Sequence, residues 1–316
     1  MNEKLRQAAD FLFSRDCFEI LTHDYPDGDT LGSGFGLCLA LQQLGKRARV
    51  VTTDVPKDFT FLQEGIVPQE FEAETIVSVD VADEKLLGCN REKYEGKIDL
   101  CIDHHLTNKI TAPLKCVDGS AAANCEILFA LFGIMNVKIT REIANNLYTG
   151  VSTDTGCFRY TNTTSKTLRI AAEIMDIGCD TEYINKVMFE TKSRKKIALE
   201  RAIYDTIEFC FNDRCAIIAA TLEIQREVGV RDNELEGLAS LPRQIEGVEI
   251  GVTMREKEPN VFKVSVRTNG VVNAADMCAR LGGGGHAAAA GCSVKGSFEE
   301  AKNKLKAVIK EALCTE

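Results

Sequence analysis

A chain of 316 residues, 45% hydrophobic and 27% charged, can form one large domain or two ordinary ones with proper cores. It has no apolar run long enough to span a bilayer, and its N-terminus, MNEKLRQAADFLFSRD, lacks the apolar stretch of a signal peptide, so a cytoplasmic protein with no membrane partner is expected. The net charge of −9 argues against long nucleic acid as a partner, because that binding rests on a basic footprint and the one basic run is KSRKK at 192–196.

In chain order, short β-rich runs first alternate with helical periodicity. Strands are expected at 18–21, 49–52, 76–79 and 98–102, with a helix over 31–44. Such alternation predicts an α/β domain on a mostly parallel, doubly wound sheet. Helical patterns follow, with Ser120 and Ser165 as expected N-caps and Gly178 as a C-terminal stop. The charged helical stretch over 192–208 is expected to connect two domains. Beyond it come strands at 215–220, 248–254 and 262–267, a helix at 274–281, and a glycine run. The last helix opens with a capping box, Ser297-Phe-Glu-Glu300. The 13 cysteines include no C-x-x-C pair and are expected to be reduced thiols.

The four histidines carry the chemistry. His23 lies in His23-Asp-Tyr-Pro-Asp27-Gly-Asp29, just past the end of a strand. Asp80 ends the next apolar run, and Asp103-His104-His105 ends the one after it. Three strand ends thus deliver metal-competent side chains to the edge where open α/β sheets bind ligands. Asp27 and Asp29, two apart in a loop shaped by Pro26 and Gly28, can point at neighbouring ions. Asp154 adds a carboxylate in Thr153-Asp154-Thr155-Gly156. Imidazoles mixed with carboxylates suit Mn²⁺ or a similar divalent ion, and two such ions would clamp a phosphoryl displacement. Taken singly, an Asp at a strand end is usually a turn former or N-cap, as Asp24 and Asp83 are expected to be. The ordered set points to a metal site. Gly282, Gly283, Gly284 and Gly285 allow close backbone approach to a ligand, with His286 next to them. The run follows a helix, so it fits no dinucleotide-binding fingerprint.

At these residues the sequence resembles the DHH phosphoesterase family. The C-terminal part, through Val264-Ser-Val-Arg267 and Gly282–Gly285 with His286, resembles that family's DHHA1 domain. Within the family, the subgroup of bifunctional oligoribonucleases and 3′-phosphoadenosine-5′-phosphate (pAp) phosphatases is the most similar. The resemblance implies a DHH catalytic domain over 1–190, a helical linker over 191–210, and a smaller α/β DHHA1 substrate-binding domain over 211–316. It implies two divalent metals, most readily Mn²⁺: His23 and Asp27 on one, Asp29, His104 and Asp154 on the other, and Asp80 bridging them. It places His105 beside the scissile phosphate, has Asp103 orient His104, and gives substrate phosphate to Arg267, His286 and the glycine amides. The implied substrates are short RNA or a mononucleotide bisphosphate, and a homodimer is compatible. The alternatives are a phosphodiesterase of cyclic dinucleotides or their linear products, an inorganic pyrophosphatase, and a nucleotide sensor without turnover. The glycine–His segment argues against the pyrophosphatase, and the complete ligand set against the sensor.

Overall fold

The computed structural model describes residues 1–230, 232–235, 237–270 and 272–314. The chain divides into two compact units, Met1–Thr191 and Lys192–Glu316.

The first unit runs α1 (Asn2–Ser14), β1 (Phe18–Leu21), α2 (Gly28–Gln43), β2 (Ala48–Val51), β3 (Thr75–Val79), α3 (Arg91–Tyr94), β4 (Leu100–Asp103), β5 (Leu114–Val117), α4 (Asn124–Ile134), α5 (Arg141–Asp154), α6 (Ser165–Ile177) and α7 (Thr181–Asn185). The five strands pair in parallel in the order β2-β1-β3-β4-β5. Alternate residues serve opposite faces, as the pleat requires. Ile20, Val77, Val79, Leu100 and Ile102 pack into the large core with α1, α2, α4 and α5. Leu21 and Cys101 face a smaller cluster with Leu87 and Tyr94. Both faces are therefore covered, which explains the near-continuous apolar strands. β5 is the strand of this unit that the sequence pattern did not announce, and α1 is a helix that it did not announce. β5 is a four-residue edge strand whose Leu114, Lys115 and Val117 are only half-buried.

Helix ends differ from expectation in instructive ways. Asp27 and Asp29 do not share a loop: Asp27 is the N-cap of α2, accepting from the amides of Asp29 and Thr30, and Asp29 lies in the first turn. Ser120 does not cap α4. It bonds Asp118, and the α4 N-cap is Ala123, which has no capping side chain. The missing acceptor comes from another helix: the buried Asp29 carboxylate takes the Asn124 amide at 2.5 Å and the Cys125 amide at 3.0 Å. Thr164 rather than Ser165 caps α6, and Gly178 ends it at φ 98°.

Helices α2 and α5 cross closely because α2 presents glycines every fourth residue. A Cβ at Gly28 would lie 2.3 Å from Thr153 Oγ1, and one at Gly32 only 2.4 Å from the Asn146 carbonyl oxygen. From α5, a Cβ at Gly150 would lie 2.6 Å from Asp29 Oδ1. These glycines weaken the helix locally. In return they bring the start of α2, with Asp29, up to α5, with Asp154.

The second unit runs α8 (Arg194–Tyr204), β6 (Glu208–Cys210), β7 (Cys215–Ala220), α9 (Leu222–Val228), β8 (Ile250–Glu258), β9 (Val261–Thr268), α10 (Ala274–Ala279), β10 (Gly284–His286), β11 (Ala289–Lys295) and α11 (Phe298–Cys314). Its sheet has the order β10-β11-β9-β8-β7-β6, antiparallel except for the β7–β8 pair. The stretch expected as a linker is a packed element: Leu199 and Ile203 of α8 are buried with Ile218, Ala220 and Leu235. The KSRKK run is likewise spent on structure, with Lys192 on Glu200 and Lys195 on Glu234 at 2.7 Å each. The glycine run is partly a strand, β10, rather than all loop, and Ser297 and Glu300 form the expected capping box before α11.

The helix crossing gives a direct test. Gly32→Ala forces a methyl against a backbone oxygen that cannot move alone, so it should destabilise the protein by about 1–3 kcal/mol. Gly133→Ala, at an exposed α4 position with nothing within 4 Å of the new Cβ, should be neutral or stabilising by up to about 1 kcal/mol. Urea denaturation midpoints of the two variants check both signs.

Candidate metal centre

Three strand ends and two helix ends meet at one point. His23 follows β1 by two residues and Asp80 follows β3 directly, while Asp103 ends β4 and His104 and His105 continue from it. Asp27 and Asp29 open α2, and Asp154 closes α5. In this strand order the crossovers reverse direction between β1 and β3, where ligands sit in folds of this kind. His23 and Asp80 leave the sheet at that gap. Asp80 holds φ at 56° while its amide still bonds the Ile102 carbonyl. A left-handed residue other than glycine costs energy and is typical of functional positions.

Asp80 is the hub. Its Oδ2 lies 3.9 Å from His23 Nε2, and its Oδ1 lies 3.4 Å from His104 Nε2 and 3.6 Å from His105 Nδ1. His23 Nε2 is 3.8 Å from Asp27 Oδ1. His104 Nε2 is 3.9 Å from Asp29 Oδ2 and 3.4 Å from Asp154 Oδ2. Three groups of ligand atoms are each compact enough to hold an ion: His23–Asp27–Asp80, Asp29–His104–Asp154 and Asp80–His104–His105. Six of these seven residues, with Asp24, Tyr25 and Leu86, line a pocket of about 270 Å³; the seventh, Asp29, lies buried beneath it.

The electrostatics fit bound cations. Burial, and then the charge of Asp29, push the Asp80 carboxyl well above the usual carboxylate range. Burial also raises Asp29, and burial with the Asp29 charge lifts Asp154 to about 8. Burial by itself would lower His104, but the Asp80 carboxylate 3.4 Å away and the charges of Asp29 and Asp154 outweigh this and raise it to about 10. His23 has less carboxylate around it, and burial leaves it lowered. The cluster thus retains protons where divalent ions would neutralise it. Buried Asp80 Oδ1 lacks a hydrogen-bond partner, which suits a metal ligand. His104 donates Nδ1–H to the Ala121 carbonyl at 3.2 Å, leaving Nε2 for an ion in the manner of metal-binding histidines.

Asp103 corrects one expectation. Its Oδ1 accepts from His105 Nδ1 at 2.8 Å and from the His104 backbone amide at 2.9 Å, so it orients the His105 ring and not that of His104. The reason is local: Asp103 is the last residue of β4, fully buried, and only the ring two residues on folds back over it. Asn108 donates to Asp103 Oδ2 at 2.6 Å and completes the support. Sequence reading missed Asn108, although a donor five residues past a strand-end Asp, after a turn, was a usable signal. It also missed the Asn124 and Cys125 amides that hold Asp29, for which no sequence signal exists.

The remaining candidates belong to the second unit. Arg267 on β9 stands opposite Ala289 on β11, which stands opposite His286 on β10. Directly opposed residues share a face of the sheet, so Arg267 and His286 flank Ala289 on one side. Gly284, Gly285 and His286 are exposed. Two of the glycines have a structural cause: a Cβ at Gly283 would lie 2.1 Å from the Gly291 oxygen, and one at Gly285 2.6 Å from that of Ala289.

A pH prediction follows for the metal-free protein. Asp154, Asp29, Asp80 and His104 all bind protons more tightly folded than unfolded, so stability falls as pH rises through their folded values. The denaturation midpoint should decline from about pH 6 to pH 9, and saturating Mn²⁺ should abolish the decline. Calorimetry across this range with and without metal reads it, and a metal-free midpoint that climbs with pH would contradict the site.

Comparison with known proteins agrees with this picture. The model of the DHH family, N-terminal domain, matches residues 18–151, and that of the DHHA1 domain matches residues 216–313. A bifunctional oligoribonuclease and PAP phosphatase, NrnA, of Thermus thermophilus is 34% identical, over 98% of this chain and 95% of its own. The Bacillus subtilis protein of the same name is 25% identical over 93% of each chain. The crystal structure of an exopolyphosphatase-related protein from Bacteroides fragilis superposes with a TM-score of 0.87 over 98% of this chain and 96% of its own, at 23% identity, and shares the fold. Among the described residues, no helix is long and apolar enough to cross a membrane. The chain belongs to the DHH family, carries its DHHA1 domain, and is a hydrolase of phosphate esters.

Proposed function

We propose that this protein hydrolyses short oligoribonucleotides, of two to a few residues, and pAp, using two divalent ions of which Mn²⁺ fits best. One observation carries the reading: the buried Asp80 carboxylate is shared between a His23–Asp27 group and a His104–Asp29–Asp154 group. A carboxylate in that position can bridge two ions. The names of relatives similar along nearly the whole chain supply the substrate class, and the charge of −9 leaves little to hold a long strand.

In this reading His23, Asp27 and Asp80 would hold one ion, and Asp29, His104, Asp154 and Asp80 would hold the other. The bound ions would supply Lewis-acid stabilisation of the phosphoryl charge and activation of the attacking water. The protein contributes position. Asp29, anchored by two α4 amides, and Asp154, at the end of α5, keep fixed places because α2 and α5 cannot slide past their glycine contacts. Asp103 accepts the proton on His105 Nδ1 and so directs Nε2 to the substrate; a second proton taken up on Nε2, which the Asp103 carboxylate stabilises, can pass from Nε2 to the leaving ribose oxygen and leave the ring neutral. Arg267, His286 and the amides of Gly282–Gly285 take a substrate phosphate, Arg267 through a bidentate pair. The catalytic assignment is to the first unit, Met1–Thr191, and substrate recognition to the second, Lys192–Glu316.

Hydrolysis of a panel of pAp, linear diadenylate, cyclic diadenylate, RNA oligomers and pyrophosphate, with Mn²⁺ added, tests the reading. Turnover should be fastest on pAp and the linear dinucleotide, vanish on chelation, and return best with Mn²⁺. Asp80→Asn should lower kcat by at least ~10²–10³-fold while the chain still folds, as seen by circular dichroism. A variant with two bound metals and normal turnover would refute the bridge.

His286→Ala should behave differently. It leaves the metal count unchanged and removes a contact to a charged phosphate worth roughly 1.5–3 kcal/mol. The loss should appear in kcat/KM for pAp and be smaller for an analogue with only the scissile phosphate. Equal losses on the two substrates would remove His286 from recognition of the far phosphate.

A further inference from the structure

The walls of the metal pocket differ from its floor. The floor is carboxylate and imidazole, yet Tyr25, 70% exposed, and Leu86, 45% exposed, also line it. Single exposed apolar residues on a protein surface are ordinary. Two on the rim of one charged pocket are not explained by metal binding or by phosphate. They are not explained by folding either, since neither is buried.

Tyr25 also stands on a rigid base. The amide of Asp24 donates to the Leu86 carbonyl at 2.7 Å, and the Asp24 carbonyl accepts from Thr53 Oγ1 at 3.0 Å. The Asp24 carboxylate sits over Gly88, where a Cβ would lie 2.0 Å from its Cγ and where φ is 55°. Pro26 follows and restricts the Tyr25 backbone to extended forms. Asp27, after Pro26, is locked as an N-cap. The aromatic ring is therefore carried between two ligand residues, His23 and Asp27, on a segment pinned at both ends. The same backbone bond ties it to the Leu86 segment. An aromatic ring has few torsions to freeze, and every nucleobase offers a face to it.

We propose that Tyr25 is the stacking platform for the nucleobase of the nucleotide whose phosphate is hydrolysed, with Leu86 packing beside it. The proposal rests on the nucleotide-ester function proposed above and names what in the metal-binding unit selects a nucleoside. An inorganic diphosphate would gain nothing from the platform. Bases of different identity would gain similar amounts, because stacking is tolerant of sequence.

The test compares wild type, Tyr25→Ala and Tyr25→Phe on linear diadenylate and on the same dinucleotide lacking both bases, at saturating Mn²⁺. Metal stoichiometry is measured by titration calorimetry for each protein. Tyr25→Ala should lose roughly 5- to 150-fold in kcat/KM on diadenylate, mostly through KM. Its loss on the abasic analogue should be at least about fivefold smaller, and Tyr25→Phe should recover most of the activity on diadenylate. Equal losses on the two substrates, no loss on either, or a Phe variant as poor as the Ala variant would overturn the platform and leave the phosphoesterase reading intact. A wild-type protein that cleaves neither substrate would overturn the proposed function, and the platform with it.

Discussion

Burying like charges beside one another is the constraint on which the first unit depends. Asp29, Asp80 and Asp154 lie within reach of a single imidazole, that of His104, and each is pushed towards its neutral form by burial. Such a cluster is stable only with protons or cations in it. Much of the surrounding architecture serves to hold it together. The α4 N-terminus gives two amides to Asp29, the Ala121 carbonyl orients His104, and Asp80 accepts an unfavourable φ to turn its side chain inward. The glycine contacts between α2 and α5 remove the steric obstacle that would otherwise hold Asp29 and Asp154 apart.

The two histidines of Asp103-His104-His105 divide the labour through their ring nitrogens. His104 turns Nδ1 to a backbone carbonyl and offers Nε2 to the buried carboxylates. His105 turns Nδ1 to Asp103 and keeps a ring that is 41% exposed. One ring is thus built into the centre and the other faces outward over it. In the second unit the organising feature is the close approach of strands β10 and β11. Gly283 and Gly285 are required there by the backbone of Gly291 and Ala289 before any ligand is considered. That approach puts His286 in the same row as Arg267.

Much of this was legible in the amino-acid order. The strands bearing His23, Asp80 and Asp103 announce themselves as apolar runs that end in polar residues, and those ends are where the chemistry lies. Gly178 and the Ser297–Glu300 box are read correctly because caps are local interactions. Reading failed where the partner is distant in the chain. Ser120 satisfies the capping rule and is not the cap, because Asp29, ninety-five residues from the Asn124 amide, does the work. The charged helix α8 has the composition of a linker, yet Leu199 and Ile203 are enough to bury it in the second unit.

The sequence by itself determined the element types, the order of the metal-competent residues and their delivery to one edge of a parallel sheet. Hydrophobic periodicity and strand-end placement are properties of short segments. Only the tertiary structure decided which atoms meet. It assigned Asp103 to His105, spent Asp29 on the α4 amides, recruited Asn108 and left Tyr25 exposed on the pocket wall. The Asp103 bonds are short in sequence but turn on a ring rotamer and a turn, and the Asp29 anchor depends on a helix crossing between segments ninety-five residues apart; neither leaves a periodic trace in the chain.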